Sequence, residues 1–139
     1  MQNITMIPDT LNKENNTSND NLKSLEVSIC CTEIYQYLRT ELKRPLKGVS
    51  KREWETLFRM MDEHLPSFRS FIYSRYPRIK KSDYQICVLV RLYFRPSEIA
   101  VLTHNSQPYI SINRYRLLMK IFREHGKAAD FDRKIRMIR

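Results

Sequence analysis

The sequence predicts an all-α protein, and three observations support that fold class. The 139-residue chain contains two glycines and six prolines, too few turn residues for a β-sandwich or barrel. Hydrophobic residues make up 42% of the chain, which is enough to build a core. Apolar positions recur at helical spacing, and the few helix-breaking residues fall between the periodic segments. We therefore expect a bundle of helices.

The first 24 residues lack any sustained apolar period. They are rich in Asn, Thr, Ser and Asp, so residues 1–24 are predicted to form a disordered tail. A helical pattern begins at Leu25 and continues to Leu42, before Pro45 and Gly48 end it. We expect one helix there, which opens a small helical subdomain over residues 25–78.

The clearest helix start in the chain is at Ser50. The run Ser50-Lys51-Arg52-Glu53 has the form of a capping box, and Val49 and Trp54 occupy the flanking hydrophobic positions. An apolar stripe follows at helical spacing, which is typical of core packing. Its members are Trp54, Leu57, Phe58, Met61 and Leu65. A further short helix is expected between Pro66 and Pro77.

Three helical segments and a short last helix are predicted in residues 79–139. The segments cover about 81–93, 96–103 and 107–124. Pro96 suits a first helical turn, Ser106 is a good N-cap and Gly126 stands where a C-terminal cap belongs. A short helix joined by a three-residue turn to a longer one is the arrangement of a helix-turn-helix. The fold class is thus a helix-turn-helix bundle preceded by a small helical subdomain.

Charge is distributed unevenly along the chain. Residues 1–65 hold 9 Lys/Arg and 10 Asp/Glu, whereas residues 66–139 hold 16 Lys/Arg and 5 Asp/Glu. The whole net charge of +10 therefore comes from the C-terminal half. A basic helical half of this kind favours a polyanionic partner, although a basic surface can also serve solubility alone.

Residues 79–122 resemble the helix-turn-helix of LuxR/GerE-type regulators. The landmarks are Ser97-Glu98-Ile99-Ala100, Ser106, Ile110, and Arg114-Tyr115-Arg116-Leu117 followed by Lys120. Upstream, Trp54, Pro66-Ser67-Phe68, Tyr76-Pro77 and Ile86-Cys87 resemble the C-terminal region of bacterial tetratricopeptide-containing, LuxR-like regulators. The chain departs from the family at Tyr93, where a glycine is usual, and at Thr103 and Asn105, where apolar residues are usual.

The resemblance implies a transcriptional regulator that binds double-stranded DNA through a recognition helix at about 107–124. Base-facing positions of the family fall on Ser111, Ile112 and Tyr115, and Gln107 joins them as a polar group near the helix start. Phosphate-facing positions fall on Ser106, Tyr109, Arg116 and Lys120. Arg114 could bind a phosphate or pair with Glu98, while Lys80, Lys81 and Arg95 are expected to contribute general electrostatic attraction.

The sequence also allows a second function and further partners. The alternative function is a helical protein-interaction module that engages another regulator or RNA polymerase. Its contact surface would be the near-neutral segment 25–65 with its Trp54 stripe. A homodimer and a separate sensor are further partners that the sequence allows. No catalytic motif or metal-ligand spacing occurs, so we expect neither an enzyme nor a metal or cofactor site. The odd number of cysteines and the lack of a long apolar run predict a cytoplasmic protein without a membrane span.

Overall fold

The computed structural model describes residues 25–30, 32–43 and 48–139, and within these ranges it is all-helical, as predicted. The tail predicted to be disordered, residues 1–24, lies outside the described residues. Residues 25–30 are helical. Seven further helices follow: α1 (Glu33–Glu41), α2 (Lys51–His64), α3 (Phe68–Arg75), α4 (Lys81–Arg91), α5 (Pro96–Thr103), α6 (Gln107–Phe122) and α7 (Ala128–Ile135).

The N-terminal helical pattern is split in two, so the expectation of one helix from Leu25 to Leu42 is wrong. Thr32 is the N-cap of α1, and its hydroxyl accepts a hydrogen bond from the Tyr35 amide at 3.3 Å. The Thr32 hydroxyl also donates to the Ile29 carbonyl at 2.7 Å. A threonine that bonds the nearby backbone in this way competes with helix continuation. Apolar spacing alone does not reveal such a break.

The predicted start of α2 at the Ser50 capping box is confirmed. The Ser50 amide donates to Glu53 Oε1 at 2.8 Å, and the Glu53 amide donates to Ser50 Oγ at 3.2 Å, which completes the capping box. All five residues of the stripe behind it are buried, with Leu57 and Met61 fully enclosed. The Trp54 stripe is therefore core, and the expectation that it could serve as a contact surface is wrong.

One hydrophobic core joins the predicted segments 25–78 and 79–139. Its centre is α4, in which every side chain from Ile86 to Val90 is buried. The helix packs against α2 on one side and against α5, α6 and α7 on the others. Phe58 and Phe68 lie against the buried ring of Tyr84, with ring centroids 5.0 and 6.2 Å away. The helix-turn-helix thus rests on a scaffold that includes the N-terminal helices.

Three helix ends among the described residues use a non-glycine residue in the left-handed conformation: Tyr93, His104 and Arg123. Tyr93 follows α4 with φ +67°. The Phe94 amide bonds the Leu89 carbonyl and the Tyr93 amide bonds the Val90 carbonyl, both at 3.0 Å, which is a Schellman cap. Arg123 ends α6 with φ +57° and bonds the Met119 carbonyl. The expectation that Gly126 caps this helix is therefore wrong.

Candidate nucleic-acid interface

The candidate interface is built on α5, a three-residue turn and α6. His104 takes the left-handed conformation at the end of α5, and the Asn105 amide closes that end on the Ala100 carbonyl at 2.9 Å. Ser106 caps α6, as predicted, because its hydroxyl accepts from the Tyr109 amide at 3.2 Å. These bonds hold α6 at a defined position after α5.

Thr103, the last residue of α5, and Asn105 of the turn hydrogen-bond to each other. Thr103 Oγ1 donates to the Ile99 carbonyl at 2.7 Å, and Asn105 Nδ2 donates to Thr103 Oγ1 at 3.0 Å and to the Thr103 carbonyl at 3.2 Å. Side-chain hydrogen bonds therefore close the connection between α5 and α6.

The inner face of α6 is anchored by apolar packing and by a buried ion pair. Its fully buried apolar residues are Ile110, Leu117, Leu118 and Ile121. Arg114 is also buried, and its Nε donates to Asp132 Oδ1 at 2.9 Å while Nη2 donates to Asp132 Oδ2. Neither alternative for Arg114, a phosphate or Glu98, is correct, because its partner is on α7.

The part of α6 that is open to solvent carries six of the predicted interface residues. Gln107, Ser111 and Lys120 are exposed, and three larger side chains stand out beside them. Ile112 is 65% exposed, Tyr109 45% and Tyr115 41%. Exposure of large apolar and aromatic groups on one helix face marks a surface suited to contact with another molecule.

Arg116 is partly withdrawn from this face. Its Nη2 donates to Asp83 Oδ2 and to Asn113 Oδ1, both at 2.9 Å, and Asp83 itself is buried. Burial lowers the pKa of Arg116, but the bond and charge of Asp83 outweigh that effect and raise the pKa overall. Much of the Arg116 charge is therefore balanced within the protein.

The amino end of α4 adds two cations to the interface that sequence reasoning had treated only as general contributors. Lys80 is the N-cap residue and Lys81 the first helical residue, and both are exposed. The Asp83–Arg116 ion pair brings this helix end beside α6. Lys120 lies nearby, with its Nζ 5.8 Å from the ring centroid of Tyr76. Residue spacing could not predict that the amino end of α4 lies beside α6, because Asp83 and Arg116 are far apart in sequence.

Arg95 belongs to a different surface. Its guanidinium pairs with Glu98 at 3.3 Å, and Glu98 also pairs with Arg39 of α1 at 2.9 Å. Glu98 Oε1 in addition accepts from the Arg95 amide at 2.8 Å. Burial raises the pKa of Glu98, but these hydrogen bonds and charges hold the pKa below its ordinary value. This cluster ties α5 to α1.

The described residues contain neither a metal-binding cluster nor a membrane-spanning helix. Within residues 25–30, 32–43 and 48–139, no three His, Cys, Asp or Glu side chains are grouped so as to hold a metal ion. No helix in the described part of the chain is long and apolar enough to cross a membrane. Comparison with known proteins finds no family model, no curated protein and no solved structure that matches this chain.

Proposed function

We propose that this chain is a transcriptional regulator that binds double-stranded DNA by placing α6 in the major groove. The observation that carries the proposal is the division of α6 into two faces. Its inner face is fixed by the core and by Asp132. The opposite face, which carries Ser111, Ile112 and Tyr115, is open to solvent. A helix held rigidly with a polar and aromatic outer face is what a groove-reading element requires.

We assign the exposed residues to two roles, contact with bases and contact with phosphates. Ser111, Ile112 and Tyr115 stand on the open face, where a serine hydroxyl can bond a base edge and an apolar group can contact a thymine methyl. Lys80, Lys81 and Lys120 flank that face and are suited to phosphates. Gln107 and Tyr109 lie in the first turn of α6, beside the Ser106 cap. Such a regulator shares a compartment with the chromosome, in line with the predicted cytoplasmic location.

The proposal is tested by direct DNA binding. Selection from random duplexes with the purified chain identifies any preferred sequence, and fluorescence anisotropy then measures affinity for that duplex and for a scrambled one. Tyr115→Phe and Ser111→Ala should change the ratio of the two affinities, because they alter groups assigned to base edges. The stoichiometry of the complex shows whether one or two copies bind.

A matched pair of charge variants tests the phosphate contacts. Lys120→Ala should weaken both duplexes alike and reduce the slope of log affinity against log salt by about 0.9. Arg59→Ala removes the same charge from the exposed surface of α2, beside Glu63 and α1, and should change neither. If no duplex binds at low salt, or if the two variants behave alike, the proposal is wrong.

A further inference from the structure

A pocket lies between the helical residues 25–30, α1 and the carboxyl end of α4, remote in sequence from α6. Its volume is about 200 Å³. A buried cavity of roughly 150 Å³ is enough to admit benzene. The walls are mostly apolar and aromatic, since Ile29 and Leu92 face it together with Tyr35 and Tyr93. The space therefore suits a small molecule with an apolar body.

Arg91 lines this pocket with a guanidinium whose charge is poorly compensated. The residue is 1% exposed, and its Nε donates to the Ile138 carbonyl at 2.8 Å. Nη2 is buried and has no hydrogen-bond partner among the described residues. Burial lowers the pKa of Arg91, as expected for a cation removed from water. A buried cation with unused donors is a strong attractor for an anion.

The Glu26 carboxylate beside Arg91 interacts with the Tyr93 hydroxyl and does not hydrogen-bond to Arg91. Glu26 Oε2 lies 4.0 Å from Arg91 Nη1, beyond hydrogen-bond distance, and its side chain is partly exposed at the pocket mouth. The guanidinium of Arg136 lies close by, 4.5 Å from the ring centroid of Tyr93, where it donates to the Val90 carbonyl. Two cations, Arg91 and Arg136, and the one carboxylate of Glu26 leave the pocket electropositive. A ligand carboxylate can replace that of Glu26 on the end of the Arg91 guanidinium.

We propose that this pocket binds a small monocarboxylate with an apolar or aromatic body, of about the size of benzoate. The carboxylate replaces that of Glu26 beside Arg91 Nη1, and the body packs against Ile29, Tyr35 and Leu92. Because Leu92 and Tyr93 lead directly into α5, an occupied pocket stabilises the segment that braces α6. This regulatory consequence rests on the proposed DNA-binding function, whereas ligand binding itself does not.

The binding test uses the full chain without DNA. Titration calorimetry and ligand-observed NMR compare benzoate with benzamide, which has the same shape and no charge. Benzoate should bind at least about ten-fold more tightly, because a hydrogen bond to a charged group is stronger than one to a neutral group. Arg91→Met should lose this preference and remain folded, since an apolar residue replaces a poorly compensated buried cation.

Two further variants test whether the probes bind in this pocket or elsewhere on the protein. Cys30→Trp narrows the pocket from its edge and should abolish binding of both probes, while Arg133→Met removes an exposed arginine on α7 and should leave binding unchanged. Absence of benzoate binding at millimolar concentration overturns the proposal, as does equal binding to the Arg91→Met protein. Repeating the DNA titration with benzoate then tests regulation separately. An unchanged DNA affinity would refute only the coupling to α5.

Discussion

Replacing Asp132 by asparagine should lower the free energy of unfolding by about 3 to 5 kcal/mol, because it leaves the Arg114 cation buried without its counter-charge. The side chains of Arg114 and Asp132 are 6% and 13% exposed and meet through two parallel hydrogen bonds. A change of that size is a large fraction of the total stability of a domain, which is about 5 to 15 kcal/mol.

The chain contains a matched control for this argument. Arg69 and Asp62 also form two parallel hydrogen bonds, at 3.1 and 3.2 Å, but their side chains are 40% and 47% exposed. An exposed pair contributes about 1 kcal/mol or less, since water screens the charges. Asp62→Asn therefore makes the same chemical change in an exposed ion pair. It should lower the free energy of unfolding by less than about 1 kcal/mol.

Urea unfolding followed by circular dichroism measures both effects. The double variant Arg114→Met/Asp132→Leu should return to within about 1 kcal/mol of the original chain, because it removes both charges and retains apolar volume. The reasoning is refuted if Asp132→Asn and Asp62→Asn shift the unfolding midpoint equally. It is also refuted if the double variant is as unstable as Asp132→Asn.

Three further predictions concern helix ends and pH. Tyr93→Gly should be more stable in urea than Tyr93→Ala by about 1 kcal/mol, since both lose the ring and only alanine keeps the strain of φ +67°; equal stability would exclude strain there. Ser106→Ala should destabilise the chain by about 1 kcal/mol through loss of the α6 cap, with the unfolding midpoint as the measurement and no shift as the contrary result. Because the pKa of Glu98 is lower in the folded than in the unfolded chain, its contribution is complete above pH 4.5 and is lost as pH falls through the folded pKa. Glu98→Gln should therefore reduce the loss of stability below pH 4.5, and an unchanged acid transition would contradict this.

Most of the fold was predictable because its signals are local. The Ser50 capping box, Pro96 and Ser106 each act within one helical turn of the residues they order. A helix start depends on a side chain bonding amides two or three residues ahead, so the sequence itself contains both partners. The same locality explains why the stripe behind Trp54 was correctly interpreted as core.

The errors arose where a residue has a competing local bond or a distant partner. Thr32 ends one helix through its own hydroxyl, within a run whose apolar spacing continues without interruption. The partners of Arg114 and Arg116 lie on other helices, so whether each cation faces solvent depends on tertiary packing. Three of the predicted interface positions nevertheless share one open helix face, because helical periodicity places Ser111, Ile112 and Tyr115 opposite the buried residues.

The internal pairing of cations limits how strongly salt can affect DNA binding. Asp132, Asp83 and Glu98 pair with Arg114, Arg116 and Arg95, so these three of the 16 Lys and Arg residues of the basic half have an acidic partner within the protein. Beside the open face of α6, the described residues provide no acidic partner for Lys80, Lys81 or Lys120. Three phosphates neutralised per chain correspond to a slope of about −2.7 in log affinity against log salt. A much steeper slope per bound chain, measured by anisotropy over a range of salt concentrations, would show that DNA contacts a surface other than the one formed by α6 and the amino end of α4.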